Sequence, residues 1–331
     1  MALRVSHPQA MNTAQPNPDV LCVGETMAVV FPDGPFSLTD PTAPVRLSVA
    51  GAESNVAMSL SRLGVSTAWW SRLGDDALGR LVCDHVAAAG VSILAVVDAA
   101  RPTGSMFKSM EKGDTEVVYC RRGSAASAMS VADAPRIRRP GRLIHLSGVT
   151  PALSASADGL VELLLSAVPG VLRSFDINYR KKLWPVSVAG PRLRELANQA
   201  DIVFVGLDEA EALWGTRHPE DVRAELPGPA RIVVKDAGER VVCLSRSGVV
   251  SVPAPPRQIV DVVGAGDAFA AGFVAGLLHG TAVVDSLSLG HYCAGRALAT
   301  IGDAPVLPPF HEALAIARAE RGNAAWKEAV S

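Results

Sequence analysis

The chain has 331 residues, 49% of them hydrophobic and 19% charged, with a formal net charge of -2. These are globular values that allow a sizeable core, and a charge so near zero gives no reason to expect nucleic acid or an acidic membrane as a partner. The five cysteines, Cys22, Cys83, Cys120, Cys243 and Cys293, are scattered with no C-x-x-C pair, which points to reduced thiols in the cytoplasm rather than a disulfide framework or a zinc site.

Residues 1–18 are polar, contain Pro and Asn, and have no hydrophobic signal core. They read as a disordered extension. Residues 20–30 predict a strand interrupted at Gly24-Glu25, and residues 31–49, rich in Pro, Gly, Thr and Ser, predict extended strands and turns. Gly51-Ala52-Glu53-Ser54-Asn55 opens a helix with Val56, Leu60 and Leu63 on one face and Gly64 at its end. A strand over 67–73 follows, then a helix marked by Leu78, Leu81, Val82 and Val86 and closed by Gly90. Residues 91–97 predict a strand. Residues 102–108 and 116–121 predict a strand pair around a turn at Lys112-Gly113-Asp114.

Beyond Arg142 the rhythm is regular. Strands at 143–146, 171–177 and 202–205 alternate with helices at 157–167, 193–199 and 208–213. Two more strands, 232–235 and 241–244, precede three helices at 267–278, 283–301 and 310–321. Alternation of this kind predicts an α/β fold with a mainly parallel sheet covered on both faces, and ligands bound beyond the carboxyl ends of its strands. The two helix-free patches, about 29–49 and 102–122, have nothing else to bury them. They are expected to join as a small β lid over that edge. No repeat or linker divides the chain, and the longest apolar run, after Asp267, is too short to span a bilayer.

That run begins at Asp261-Val262-Val263-Gly264-Ala265-Gly266-Asp267. Gly264 and Gly266 can take backbone angles closed to other residues and let a ligand approach the main chain. A helix start behind them offers unpaired N–H groups and the positive end of the dipole, a site for phosphate. Asp267 does not suit simple anion binding. It suits a base that takes the proton from a hydroxyl about to attack phosphorus. The plain alternative is an ordinary turn with Asp267 as an N-cap, which a wholly apolar, buried helix makes less attractive because its first amides need a partner inside the protein. Gly272 and Gly276 read as close helix packing.

Asp176-Ile177-Asn178-Tyr179-Arg180 follows a strand, with Asp, Asn and Arg at alternate positions. It reads as a polar cluster at the ligand edge, Arg180 being able to fork onto a carboxylate or phosphate. Arg121 and Arg122 fall in the expected lid. There is no Gly-Lys pair, hence no Walker A loop, and the glycine spacing does not fit the dinucleotide fingerprint. The seven histidines show no ligand spacing, so His145 and His291 are expected to be packed or at the surface.

Asp261 to Phe269 resembles the second signature of the ribokinase-like (PfkB) carbohydrate kinases. Ala50-Gly51-Ala52-Glu53-Ser54-Asn55, with Leu63-Gly64 and Leu73-Gly74-Asp75-Asp76, resembles the first. The resemblance runs from about residue 20 to 309. It implies one kinase domain over 19–331, a ribokinase-like three-layer sandwich with its β lid, and ATP with Mg²⁺. It also implies Asp267 as base, the amides from Gly264 through Ala265 to Gly266 as an anion hole, and Lys235 and Gly238 near the nucleotide. Glu209 would order water on Mg²⁺, and the Asp261 loop would hold a monovalent cation such as K⁺.

Within that family the chain is most similar to the 2-keto-3-deoxygluconate kinases (2-dehydro-3-deoxygluconokinases). Arg121-Arg122-Gly123-Ser124-Ala125, the segment from His145 to Leu153 and that from Asp176 to Trp184 carry this likeness. It implies Gly51 and Asn55 against the acceptor, Arg180 on its carboxylate, and Met106, Tyr119 and Arg121 closing over it. It suggests a homo-oligomer through the lid. The stretch after Gly24-Glu25 lacks the Asp that ribokinases and fructokinases use for sugar hydroxyls, which favours a keto acid. Ala50, Met106 and Cys120 depart from the pattern, as does Gly206-Leu207-Asp208-Glu209, where Gly206 replaces an Asn. The acceptor therefore stays open between a sugar acid and a neutral sugar or nucleoside, and a non-catalytic sugar sensor is the third reading.

Overall fold

The computed structural model describes residues 17–34, 39–111, 114–137, 141–166, 169–236, 238–300 and 305–322. The expected extension up to residue 16, the turn at Lys112-Gly113 and the helix end at Ile301 lie outside these residues. The described elements, in chain order, are β1 (Val20–Val23), β2 (Met27–Pro32), β3 (Val45–Ala50), α1 (Ala52–Arg62), β4 (Thr67–Trp70), β5 (Arg72–Gly74), α2 (Ala77–Ala88), β6 (Ser92–Ile93), β7 (Val96–Asp98), β8 (Ser105–Glu111) and β9 (Asp114–Cys120). The second half holds β10 (Leu143–Ser147), α3 (Ala155–Leu165), β11 (Leu172–Asp176), α4 (Val186–Ala197), β12 (Ile202–Gly206), α5 (Leu207–Trp214), α6 (Val222–Glu225), β13 (Arg231–Asp236), β14 (Arg240–Ser245), β15 (Gly248–Pro253), α7 (Ala265–Leu278), α8 (Val283–Leu298) and α9 (Phe310–Gly322).

Nine strands form the central sheet in the order β15-β14-β13-β12-β11-β10-β1-β4-β6. From β13 to β6 every neighbour is parallel, while β14 and β15 add on antiparallel. The strand side-chain period of two divides each parallel strand between two cores. Val20 and Cys22 face the layer of α1, α2, α7, α8 and α9, whereas Leu21 and Val23 face that of α3, α4 and α5. Ile202 and Phe204 are split from Val203 and Val205 in the same way. Burial on both faces is why these strands read as unbroken apolar runs. The three-layer α/β sandwich expected from the alternation is the observed one.

The lid is a four-stranded sheet in the order β3-β2-β8-β9, with β2 and β8 parallel and the outer pairs antiparallel. Met27, Val29, Ala50 and Met106 give it a small apolar core of its own. α7 is buried almost all round and packs tightly on α8: a Cβ on Gly272 would lie 2.7 Å from the Leu289 carbonyl oxygen, and one on Gly276 2.6 Å from Ser286 Oγ. Among the described residues no helix is long and apolar enough to cross a membrane.

Three expectations needed adjustment. The strands expected over 67–73 and 91–97 each break in two, because the chain leaves the central sheet near Ser71 and pairs Arg72–Gly74 with Val96–Asp98 in a separate ribbon. β15 went unread because it is an edge strand with most residues exposed or half-buried. α4 begins at Val186, ahead of the expected start, because its first turn exposes Val186 and Val188 and so shows no apolar period.

Candidate active site

The carboxyl ends of β1, β10, β11, β12 and β13 stop together, with Ser147 opposite Asp176 and Gly206 opposite Lys235. Beside them α7 begins. Its N-cap, Gly264, has φ +78° and ψ -6°, a left-handed conformation that disfavours any side chain. Asp261 Oδ1 accepts the Val263 N–H at 3.0 Å and fixes the turn, while the amides of Val260 and Asp261 donate to the Leu298 carbonyl. The first bond within α7 runs from the Ala268 N–H to the Gly264 carbonyl at 2.9 Å. The amides before it have no partner within the helix, and Gly264 and Gly266 line a cavity of about 690 Å³.

Asp267 lies on the first turn of α7, 8% exposed. Its Oδ2 accepts from Asn55 Nδ2 at 2.9 Å and its Oδ1 from Asn178 Nδ2 at 3.4 Å. Burial raises its pKa to about 8. The Asn55 hydrogen bond opposes that rise, the Asp176 charge adds to it, and Arg180 and Lys235 oppose it. A carboxyl whose proton leaves near neutrality is suited to general-base work. Asn178 is the one described non-glycine residue with positive φ, +39°, a strained conformation that aims its amide at Asp267.

Next to Asp267 is a knot of charge. Lys235 Nζ lies 3.2 Å and 3.4 Å from the two carboxylate oxygens of buried Asp176. A Cβ built on Gly266 would be 3.3 Å from that same Nζ, so the ammonium stands at the start of α7. Burial works against the lysine's charge, but Asp176 and Glu209 outweigh it and hold its pKa above the ordinary value. Glu209 accepts the Gly206 N–H and the Tyr179 N–H, each at 2.8 Å, one on each carboxylate oxygen. Burial pushes its pKa up, and Lys235 pulls against that. Phosphate fits this end of the cavity: the open helix amides and Lys235 face one place. Among the described residues there is no group of three or more His, Cys, Asp or Glu that could hold a metal ion.

The other end of the cavity lies under the lid. Gly51 and Asn55, at the start of α1, line it together with Met106 of β8 and Tyr119 of β9. A Cβ on Gly51 would lie 2.5 Å from the Glu25 carbonyl oxygen, so only glycine fits there. Asn55 Oδ1 is buried and unpartnered among the described residues. Arg180 is exposed at the wall and makes no ion pair with a described residue. Lys108, Lys181 and Lys182 line the same end, and Lys182 Nζ donates to the Val117 carbonyl of the lid at 3.2 Å.

Arg121 also lines the cavity but is already engaged. Its guanidinium pairs with the buried carboxylate of Glu25, with Nε 2.7 Å from Oε2, and Ser124 Oγ donates to Oε1 at 2.6 Å. Ala265, Gly238 and Asp261 fall outside the cavity lining. Ala265 supplies backbone at the helix start, Gly238 takes a left-handed turn with φ +80°, and Asp261 serves the turn described above. His145 is buried on Ser174 Oγ and His291 is packed against Phe269. The reading of single residues missed Glu25 and the pairing of Asp176 with Lys235. The only local signal for Glu25 was a charge breaking an apolar strand.

Residues 17–308 match the pfkB family carbohydrate kinase pattern. The chain is 32% identical over 320 residues to the 2-dehydro-3-deoxygluconokinase of Bacillus subtilis, covering 92% of this chain and 96% of that one. Its structure resembles the PfkB protein from Polaromonas sp. JS666, with a TM-score of 0.79 at 34% identity, over 89% of this chain and 98% of the other. It shares its fold with a fructokinase from Xylella fastidiosa solved with bound ATP, with a TM-score of 0.77 at 23% identity, over 92% and 99% of the two chains. The chain belongs to the pfkB family of carbohydrate kinases. It is a phosphotransferase whose acceptor is a sugar hydroxyl.

Proposed function

We propose that the protein transfers the γ-phosphoryl group of ATP to a hydroxyl of a small sugar acid, with 2-keto-3-deoxygluconate as the best candidate. The observation that carries the reaction is Asp267, a buried carboxyl with a raised pKa at a glycine-lined helix start. In this reading ATP supplies the phosphoryl group and Mg²⁺ offsets its charge. The amides of Gly264, Ala265 and Gly266 with Lys235 hold the transferring group, and Gly238 flanks the nucleotide. Glu209 reaches the Mg²⁺ through water, and the Asp261 loop takes a monovalent cation. Asp267 takes the proton of the attacking hydroxyl. The β lid, within a single kinase domain over 19–331, keeps water out.

An acidic acceptor is supported by the lid end of the cavity. Arg180 has no ion pair among the described residues there, Lys181 stands beside it, and Arg121 is committed to Glu25. Asn55 and Gly51 would meet the acceptor's hydroxyls, with Met106 and Tyr119 above it. A cytoplasmic enzyme agrees with five free cysteines. Val45, Leu47 and Val118 on the lid are more than half exposed, which supports a homodimer through that sheet, to be checked by sedimentation.

The test is ADP release over a panel of sugar acids, neutral sugars and nucleosides, for the parent and Asp267→Asn. The variant should keep nucleotide binding and lose about two decades of rate or more. Near-normal turnover would sink Asp267 as base, and a preference for neutral sugars would sink the acidic acceptor.

A further inference from the structure

Asp176 sits at the end of β11, 2% exposed, with its backbone carbonyl accepting the Gly148 N–H at 2.8 Å and its Oδ1 the Asn178 N–H at 3.3 Å. Its side chain meets Lys235, which reaches across from β13 past the end of β12. Lys235 has three possible anions around it: Asp176, Glu209 and Asp267 all act on its charge. Glu209 has each oxygen on a backbone amide. Asp267 is the neighbour of Gly266, whose Cβ position lies 3.3 Å from Lys235 Nζ. Lys235 is near enough for its charge to act on Asp267, and a direct ion pair between the two would make the carboxylate a poor base.

We propose that Asp176 is a positioning residue that holds Lys235 at the start of α7, where it faces the transferring phosphoryl group, and keeps it from pairing with Asp267. The inference rests on the reading of Asp267 as the base. Asp267 is faced by Asn55 from α1, by Asp176, Asn178 and Arg180 from β11 and the segment after it, and by Lys235 from β13. Asp176 and Lys235 act on it in opposite senses. If Asp176 only neutralises a buried lysine, removing Lys235 has the same effect on Asp267 whether Asp176 is present or not. If Asp176 restrains Lys235, the effect of Lys235 on Asp267 is larger once Asp176 is gone.

The experiment is a double-mutant cycle read by NMR titration of the Asp267 side-chain carboxyl in the full, unliganded protein: parent, Asp176→Asn, Lys235→Met and the double variant. Asp176→Asn should lower the midpoint by about one unit or more. Lys235→Met should raise it modestly in the parent and by at least about one unit more in the Asp176→Asn background. In turnover, Asp176→Asn should cut kcat about tenfold or more with a much smaller change in acceptor KM. Equal midpoint shifts in the two backgrounds overturn the proposal. So does failure of either single variant to fold, since the pair is then structural. The titration needs no turnover, so a parent that phosphorylates nothing in the panel fails the kinase reading separately.

Discussion

If burial is what raises the Asp267 pKa, removing the charge should stabilise the fold while abolishing the reaction. With a folded pKa of about 8, the folded state holds a proton between the ordinary carboxylate value and about pH 8 that the unfolded state has released. Stability therefore falls as pH rises through that window, and the full cost is present above it. About four units at 1.36 kcal/mol each set a ceiling near 5 kcal/mol. Screening in a cavity open to solvent reduces this to roughly 1–3 kcal/mol. Asn cannot ionise, and the site has room for it. Asn55 Oδ1 is buried without a described partner, so a flipped Asn55 amide can accept from the new side chain while the remaining oxygen accepts from Asn178. The assay is urea denaturation of parent and Asp267→Asn at pH 4.5 and 8.5. The variant should match the parent at the lower pH and exceed it by about 1–3 kcal/mol at the higher. An equal gain at both values, or a loss at pH 8.5, would refute burial as the cause.

Arg180→Ala should raise KM for an acidic acceptor about tenfold or more, the weight of a charge-assisted hydrogen bond, and leave neutral sugars little changed; steady-state kinetics on matched acid and neutral acceptors decides it. Gly264→Ala places a Cβ at φ +78° and should cost about 1–2 kcal/mol of stability and weaken ATP binding, measured by thermal melting and calorimetry. Glu209→Gln leaves one oxygen for two amide donors, Gly206 and Tyr179. It should loosen the segment carrying Arg180 and raise acceptor KM severalfold, about the cost of one lost buried hydrogen bond. An unchanged KM would mean that this segment is held elsewhere.

How far the sequence carried depended on the range of each signal. The start of α7 was legible because its parts are adjacent: Gly264, Gly266 and Asp267 precede an apolar run with no Pro. The central strands were legible because each is buried on both faces. The breaks at Ser71 and ahead of β7 were not: apolar residues run from Ile93 to Val97 without interruption, Leu73 resumes the apolar pattern after Ser71-Arg72, and only pairing partners show that the sheet has changed. The polar segment Asp176 to Arg180 was visible, but not its division of labour. Asp176 finds Lys235 at 59 residues' separation, and Arg121 finds Glu25 at 96. No local pattern encodes such pairs; they exist because parallel strands end at one edge and a lid folds over it.

Those distant pairs decide how the cavity's charges can be used. On the proposed reading, a cavity that takes a phosphoryl donor and an acid needs cations at both ends, and each cation threatens to quench a base between them. At the donor end Lys235 has Asp176 as its partner. At the lid end Arg121 has Glu25. Arg180 alone among these three makes no ion pair with a carboxylate of the described residues, and it is the one that is exposed. A cation with no ion pair among the described residues is the one with the least to give up to an anionic acceptor, because no such pair must first be broken. The same logic fits the way Asp267, the proposed base, is held by two amides, Asn55 and Asn178, rather than by a cation. Neutral donors orient Asp267 without the large pKa depression that a contacting ammonium or guanidinium would bring.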